Sequence, residues 1–176
     1  MGLLVLLICS LGFISACSQN DANASKSKYV DNKAMNVIAA GFERRSDVIE
    51  SNANDDDPHS TENIQEAIEA EIKNDKELKN ARFKDSKMQQ DGITYLNLLD
   101  DQLKVTEDYS QSSSDYYEEW NKVYDKRSAQ LKKLVDNYGL EVGEKYEDDF
   151  NDLIKNGKSV AEKTRYEDAI NSLIQG

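Results

Sequence analysis

The hydrophobic positions of this chain follow two different patterns. Residues 1–16 form an almost unbroken apolar run, residues 18–28 are polar, and from position 29 onward apolar residues recur every three to four positions. A 3.6-residue period is typical of helices that bury one face, and no stretch alternates for long enough to predict a strand. The pattern therefore predicts an all-α domain over residues 29–176.

Within this domain we expect long helices joined by short loops. The first apolar stripe runs through Phe42 and Val48 and includes one charged residue, Arg45. Short connections favour an antiparallel bundle of about four to six helices over a long coiled-coil oligomer. The predicted helices cover residues 30–51, 59–80, 84–109 and 115–138, followed by a last segment from about 143.

Local signals mark the helix ends. Clustered Asn and Asp residues before Pro58 predict the first turn, since these residues favour turns and proline suits a first helical turn. Residues 115–118 have the form of a capping box, and Gly139 is a predicted left-handed C-cap. Asn156-Gly157 is expected to interrupt the last segment before Val160.

The apolar run at the start of the chain has the length of an export signal. A membrane-spanning helix needs about 20 consecutive apolar residues, whereas a secretory signal has an apolar region of about 7–15 residues that ends in small residues. Signals normally begin with basic residues, and no Lys or Arg precedes Lys26. Whether the true start lies upstream of Met1 therefore stays open.

The four residues Ile14-Ser15-Ala16-Cys17 resemble the lipobox of bacterial lipoproteins. The resemblance implies a diacylglycerol thioether on the Cys17 sulfur, cleavage between Ala16 and Cys17, and acylation (palmitate) of the new amino terminus. Two acyl chains give stable anchoring to a membrane, whereas one gives marginal binding. Residues 1–16 would then be a lipoprotein signal peptide, and residues 17–28 a lipidated N-terminus and flexible tether. The alternative is an ordinary secretory signal with an incidental cysteine.

Composition narrows the range of partners. The formal net charge is -12, and such an acidic surface repels nucleic acid and is not drawn to anionic lipid headgroups. The chain has two cysteines; Cys9 would leave with the signal and Cys17 would be lipidated. We therefore expect no disulfide within the domain and no nucleic-acid partner.

Residues suited to catalysis or metal binding are few. His59, the single histidine, falls in a predicted exposed loop, so we expect no Ser-His-Asp or Cys-His arrangement and no Glu-x-x-His metal site. The acidic run over residues 52–57 lacks the Gly and Glu that an EF-hand loop would need at 57 and 63, which leaves open only weak Ca²⁺ binding. The sequence predicts no enzyme, no cofactor and no metal centre.

Aromatic residues cluster near residues 109–124. Tyr117, Trp120 and Tyr124 have the spacing of a buried helical stripe. Tyr109 and Tyr116 are therefore predicted to be the exposed pair and the candidate binding surface, because exposed aromatic side chains can stack on sugars or anchor a protein partner.

Two stretches, STENIQEAIEAEIKNDKELKNARFKD and NKVYDKRSAQLKKLVDNYGLEVGEKYEDDFNDLIKNGK, resemble the helical ectodomains of uncharacterised lipoproteins from Gram-positive bacteria. The resemblance implies a position on the outer face of the plasma membrane and supplies no catalytic residues. We expect a lipid-anchored, non-catalytic module that binds an envelope or cell-surface protein. The alternatives are a lipoprotein that binds a small ligand or cell-wall glycan, and a prophage-encoded surface lipoprotein that blocks phage entry.

Overall fold

The computed structural model describes residues 29–175, which contain five α-helices and no strand. The predicted all-α class and helical bundle are confirmed. Two short 3-10 turns, Lys76–Asn80 and Glu144–Tyr146, follow α2 and precede α5. The helices are α1 Asp31–Asn52, α2 Thr61–Asp75, α3 Ser86–Asp108, α4 Ser114–Tyr138 and α5 Glu147–Gln175.

Each helix packs against the next one along the chain. The ring of Phe42 on α1 also meets that of Phe150 on α5 edge-on, with centroids 5.2 Å apart. This contact joins the first and last helices around one apolar core. The fully buried apolar side chains of that core come from α1, α3, α4 and the segment after α4: Ile38, Leu96, Leu99, Leu131, Leu134 and Leu140.

Side-chain caps fix where the helices begin. Ser60 accepts from the Asn63 backbone N–H at the start of α2, and Ser113 accepts from the Tyr116 N–H at the start of α4. The predicted capping box at residues 115–118 is wrong, because the hydroxyl of Ser113 supplies the cap two residues earlier. The predicted C-cap is confirmed, since Gly139 has φ 67° and donates its N–H to the carbonyls at the end of α4.

The predicted interruption at Asn156-Gly157 is also wrong, since α5 is continuous from Glu147 to Gln175. Gly157 lies against the backbone of α4, where a Cβ would come within 2.6 Å of the Ser128 carbonyl carbon. Asn156 donates from Nδ2 to Asp125 Oδ1 at 3.0 Å. This Asn-Gly pair therefore serves a close approach between two helices and not a break.

The second half of α5 extends away from the bundle. Every side chain from 161 to 174 is exposed. Within residues 29–175, no helix is both long enough and apolar enough to cross a membrane. The predicted signal peptide, cleavage site, Cys17 lipidation and tether fall in residues 1–28, outside the described residues.

Candidate functional site

A buried cluster of charged and polar side chains joins four helices. Glu71 on α2 accepts from Arg45 Nη1 on α1 at 3.2 Å, and both of its oxygens lie 3.1 Å from Arg127 Nη2 on α4. The hydroxyl of Tyr95 on α3 also donates to Glu71. Gln102 accepts a second hydrogen bond from Arg45 Nη1 at 3.0 Å. All five side chains are buried, so this cluster places charged groups in the interior of the bundle.

The guanidinium groups keep the buried carboxylate ionised. Burial by itself would raise the pKa of Glu71, but the attraction of Arg127 and Arg45 outweighs it and holds that pKa below its usual value. Burial, with repulsion from Arg127, lowers the pKa of Arg45. For Arg127, the charge of Glu71 outweighs burial and raises the pKa. Two buried cations thus share one buried anion.

Asp75 lies one turn further along α2 but does not supply a second negative charge at neutral pH. Burial raises the pKa of Asp75 to about 8, only partly offset by a 3.0 Å hydrogen bond from Asn74 Nδ2. The carboxyl is packed so closely against α1 that a Cβ at position 41 would overlap it, which explains the glycine there. With Asp75 protonated, the cluster carries a net positive charge.

Hydrogen bonding in the cluster and in the residues beside it is incomplete. In residues 29–175, four buried side-chain atoms have no hydrogen-bond partner in the chain: Asp75 Oδ2, Gln102 Nε2, Arg127 Nε and Ser128 Oγ. Native interiors pair the great majority of such atoms. Two of these atoms belong to the cluster and two to residues beside it. The unsatisfied hydrogen-bonding groups of the described interior are therefore concentrated around Glu71.

A cavity of about 260 Å³ adjoins this cluster. It lies between the second half of α1 and the first half of α2, and Trp120 of α4 closes one side. Among the residues that line it, Arg45 is the only Asp, Glu, Lys or Arg. The other lining residues are Ile49, Asn52, Pro58, His59, Asn63, Ile64, Ala67 and Trp120.

The predicted exposed pair of tyrosines is half wrong. Tyr109 is 37% exposed, but Tyr116 is only 3% exposed and belongs to a small cluster with Leu98, Val105 and Val123. The Tyr116 ring stacks on Trp120, with centroids 5.8 Å apart and an interplanar angle of 12°. Tyr117, predicted to be buried, is 58% exposed instead. A surface formed by Tyr109 and Tyr116 together is therefore not available to a partner.

An exposed apolar face lies on the second half of α5. Tyr166 follows Gly157 by nine positions, and at about 100° per residue this places Tyr166 opposite the side that touches α4. Ile170 and Leu173 follow at helical spacing on the same side as Tyr166. Leu173 is 83% exposed, so this face has no partner within the described chain.

The acidic run at residues 52–57, for which the sequence leaves weak Ca²⁺ binding open, contacts α2. Asn63 Nδ2 donates to Asp55 Oδ2 and to the Asp57 carbonyl oxygen, both at 3.1 Å. Across residues 29–175, no group of three or more His, Cys, Asp or Glu side chains is arranged to hold a metal ion. His59 is exposed, as predicted, and its carbonyl accepts from Gln111 Nε2 at 2.7 Å.

Sequence reasoning missed most of the buried cluster, although it placed Arg45 on an apolar stripe. The available signal was the position of the charged residues. Glu71 and Asp75 follow Ala67 and Ile68 at helical spacing, on the side of α2 that becomes buried. A charge in an apolar stripe indicates a buried polar contact, but not its partner.

No protein-family model, curated protein sequence or solved structure matches this chain.

Proposed function

We propose that the chain is a lipid-anchored, non-catalytic interaction module on the outer face of the plasma membrane. Cys17 carries the anchor and residues 18–28 form the tether. The second half of α5 is the docking element, and its partner is an amphipathic helix of an envelope protein.

The observation that carries this proposal is the exposed apolar face of α5. Tyr166, Ile170, Leu173 and Ile174 are all exposed and all lie within nine residues of one helix. Contiguous exposed apolar surface is uncommon on proteins that act alone and marks interaction sites. Apolar residues recurring every three to four positions are the pattern by which one helix recognises another.

The charges of this segment support an apolar partner over a basic one. Residues 158–175 contain three basic residues (Lys158, Lys163 and Arg165) and three acidic ones (Glu162, Glu167 and Asp168). The segment is therefore neutral on a chain of net charge -12. Burial of hydrocarbon would therefore supply most of the binding free energy at this segment.

The anchor is tested by replacing each of the two cysteines in turn. Cys17→Ala should abolish incorporation of a labelled fatty acid and leave the precursor unprocessed or release the protein from membranes. Cys9→Ala is the matched control, since it also removes a thiol from the apolar region, and it should leave labelling intact. Unchanged labelling and fractionation of Cys17→Ala would exclude a lipoprotein.

The docking element is tested with a matched pair of acidic substitutions. Leu173→Asp places a charge on the apolar face, whereas Asn171→Asp places one about 160° away from Leu173 around the same exposed helix. Neither change should alter the unfolding midpoint, because both side chains are exposed. Leu173→Asp should abolish capture of the envelope partner from membranes, and Asn171→Asp should not. Equal capture by both variants would rule out this face.

A further inference from the structure

The cavity beside the buried cluster has the shape and lining of a small-molecule site. Its walls include the side chains of Ile49, Ile64, Ala67 and Trp120, and a charged group lies within it. Binding sites for small ligands are typically apolar clefts with a few polar groups that fix orientation. The volume of about 260 Å³ corresponds to roughly nine water molecules at about 30 Å³ each. Only a compact ligand fits.

Arg45 supplies the polar group. Its side chain is nine-tenths buried, and both hydrogen bonds that it makes within the described chain come from Nη1, one to Glu71 and one to Gln102. A guanidinium has five N–H donors, so the Nε and Nη2 edge keeps three without a protein acceptor. That edge is planar and matches a carboxylate, which can accept two parallel hydrogen bonds.

The charge around Arg45 favours an anion. Among the described residues, Arg45 and Arg127 both pair with the single carboxylate of Glu71, so two buried cations have one counter-charge. An uncompensated buried cation is costly, and an anionic ligand beside it removes that cost. The buried cluster therefore provides a reason for a negative charge to enter a largely apolar cavity.

Groups at the mouth restrict which anion can enter. Two residues that line the cavity donate to carboxylates: Asn63 Nδ2 to Asp55 Oδ2 at 3.1 Å, and Asn52 Nδ2 to Glu66 Oε2 at 3.3 Å. These acidic neighbours disfavour a ligand with several negative charges, because like charges at short range repel. A ligand with one negative charge buried against Arg45 and a hydrocarbon body avoids most of that repulsion.

We propose that this cavity binds a small apolar monocarboxylate, with its carboxylate on the Nε and Nη2 edge of Arg45 and its hydrocarbon against Trp120. The stacking of Trp120 on Tyr116 holds this wall in place before a ligand arrives. An aromatic or branched aliphatic acid satisfies the size, the single charge and the apolar walls together. The site uses none of the residues of the α5 docking face and is independent of it.

The test uses the full chain, purified in mild detergent, with phenylacetate as the probe and phenylacetamide as its neutral counterpart. Trp120 is the chain's single tryptophan and lines the cavity, so its fluorescence reports occupancy directly. Phenylacetate should bind at least about tenfold more tightly than the amide, since only the acid offers a charged acceptor to Arg45. Arg45→Met should remove this preference.

A second variant fills the cavity without removing a charge. Ala67→Leu places three further carbon atoms inside it and should weaken phenylacetate binding at least about tenfold. Ala70→Leu is the matched control on the same helix, because Ala70 lines a different groove, and it should change the affinity less than about twofold. Helical circular dichroism confirms that each variant is folded.

Three results would overturn the proposal. They are equal affinity for the acid and the amide, unchanged acid binding by Ala67→Leu, and no binding of phenylacetate at about 10 mM, well above the ~1 mM range of weak specific binding. The first would show that Arg45 does not hold the charge. The second would show that the acid binds elsewhere on the chain, and the third that the cavity does not accept this class of ligand.

Discussion

Replacing Gly157 with alanine measures how closely α5 approaches α4. At this point the backbone of α4 lies directly against Gly157, and an added Cβ would lie 2.6 Å from the Ser128 carbonyl carbon and 3.0 Å from the Ala129 backbone nitrogen. Both neighbours are backbone atoms of α4, so no flexible side chain can move aside. The helices must separate to admit a single methyl group.

Two opposing effects determine how far Gly157→Ala changes the free energy of unfolding. Alanine in place of glycine inside a helix favours folding by about 1 kcal/mol through helix propensity. Overpacking a well-packed contact costs about 1–3 kcal/mol, and a contact with rigid backbone falls at the upper end. Gly157→Ala should therefore lower the free energy of unfolding by about 1–2 kcal/mol, in spite of its better helix propensity.

Gly92 provides the matched control in the interior of α3. A Cβ at position 92 meets nothing within 4 Å, so Gly92→Ala keeps the propensity gain without the clash. It should stabilise the chain by about 0.5–1 kcal/mol. Urea unfolding followed by circular dichroism at 222 nm, the standard far-ultraviolet helix band, gives both values. If Gly157→Ala proved as stable as the wild type or more so, the close packing of α5 on α4 would be refuted.

Two further predictions concern the buried cluster. Since burial raises the pKa of Asp75 to about 8 in the folded chain, and an unfolded Asp titrates near pH 4, the wild type should lose stability as the pH rises through this window. The free energy of unfolding of Asp75→Asn, relative to that of the wild type, should accordingly rise from about pH 4 to about pH 8 and then level off. If the two proteins lost stability in parallel as the pH rose, this prediction would be contradicted. Glu71→Gln leaves Arg45 and Arg127 buried without their anion and should lower the free energy of unfolding by about 3–5 kcal/mol. A loss below about 1 kcal/mol in urea unfolding would contradict it.

Most of the fold could be predicted from the sequence because local signals determine it. The helical periodicity predicted the all-α class, and the polar runs predicted the positions of the loops. Gly139 was recognisable because an αL residue at a helix C-terminus is usually glycine. The prediction of a break at Gly157 was wrong because no local signal determines the role of this residue. Its role depends on Ser128, a distant residue that no local pattern identifies.

The assignment of the tyrosines failed because of a buried charge. The buried stripe of α4 runs through Tyr116, Val123, Arg127 and Leu134. Arg127 breaks the apolar period of this stripe, so the neighbouring stripe through Tyr117 has the stronger apolar pattern. Arg127 is buried only because Glu71, 56 residues earlier, supplies its counter-charge. Pairing at such a separation is a property of the fold and not of a local pattern.

The central claim, that the second half of α5 docks on an envelope protein, is tested most directly by photo-crosslinking on intact cells. A photo-reactive amino acid at position 173 lies on the apolar face, and the same group at position 171 lies about 160° away from it around the helix. We predict one crosslinked envelope protein from position 173, joined through an amphipathic helix, and none from position 171. Identical crosslinks from the two positions, crosslinks only to a second copy of this chain, or none from position 173 would contradict the claim.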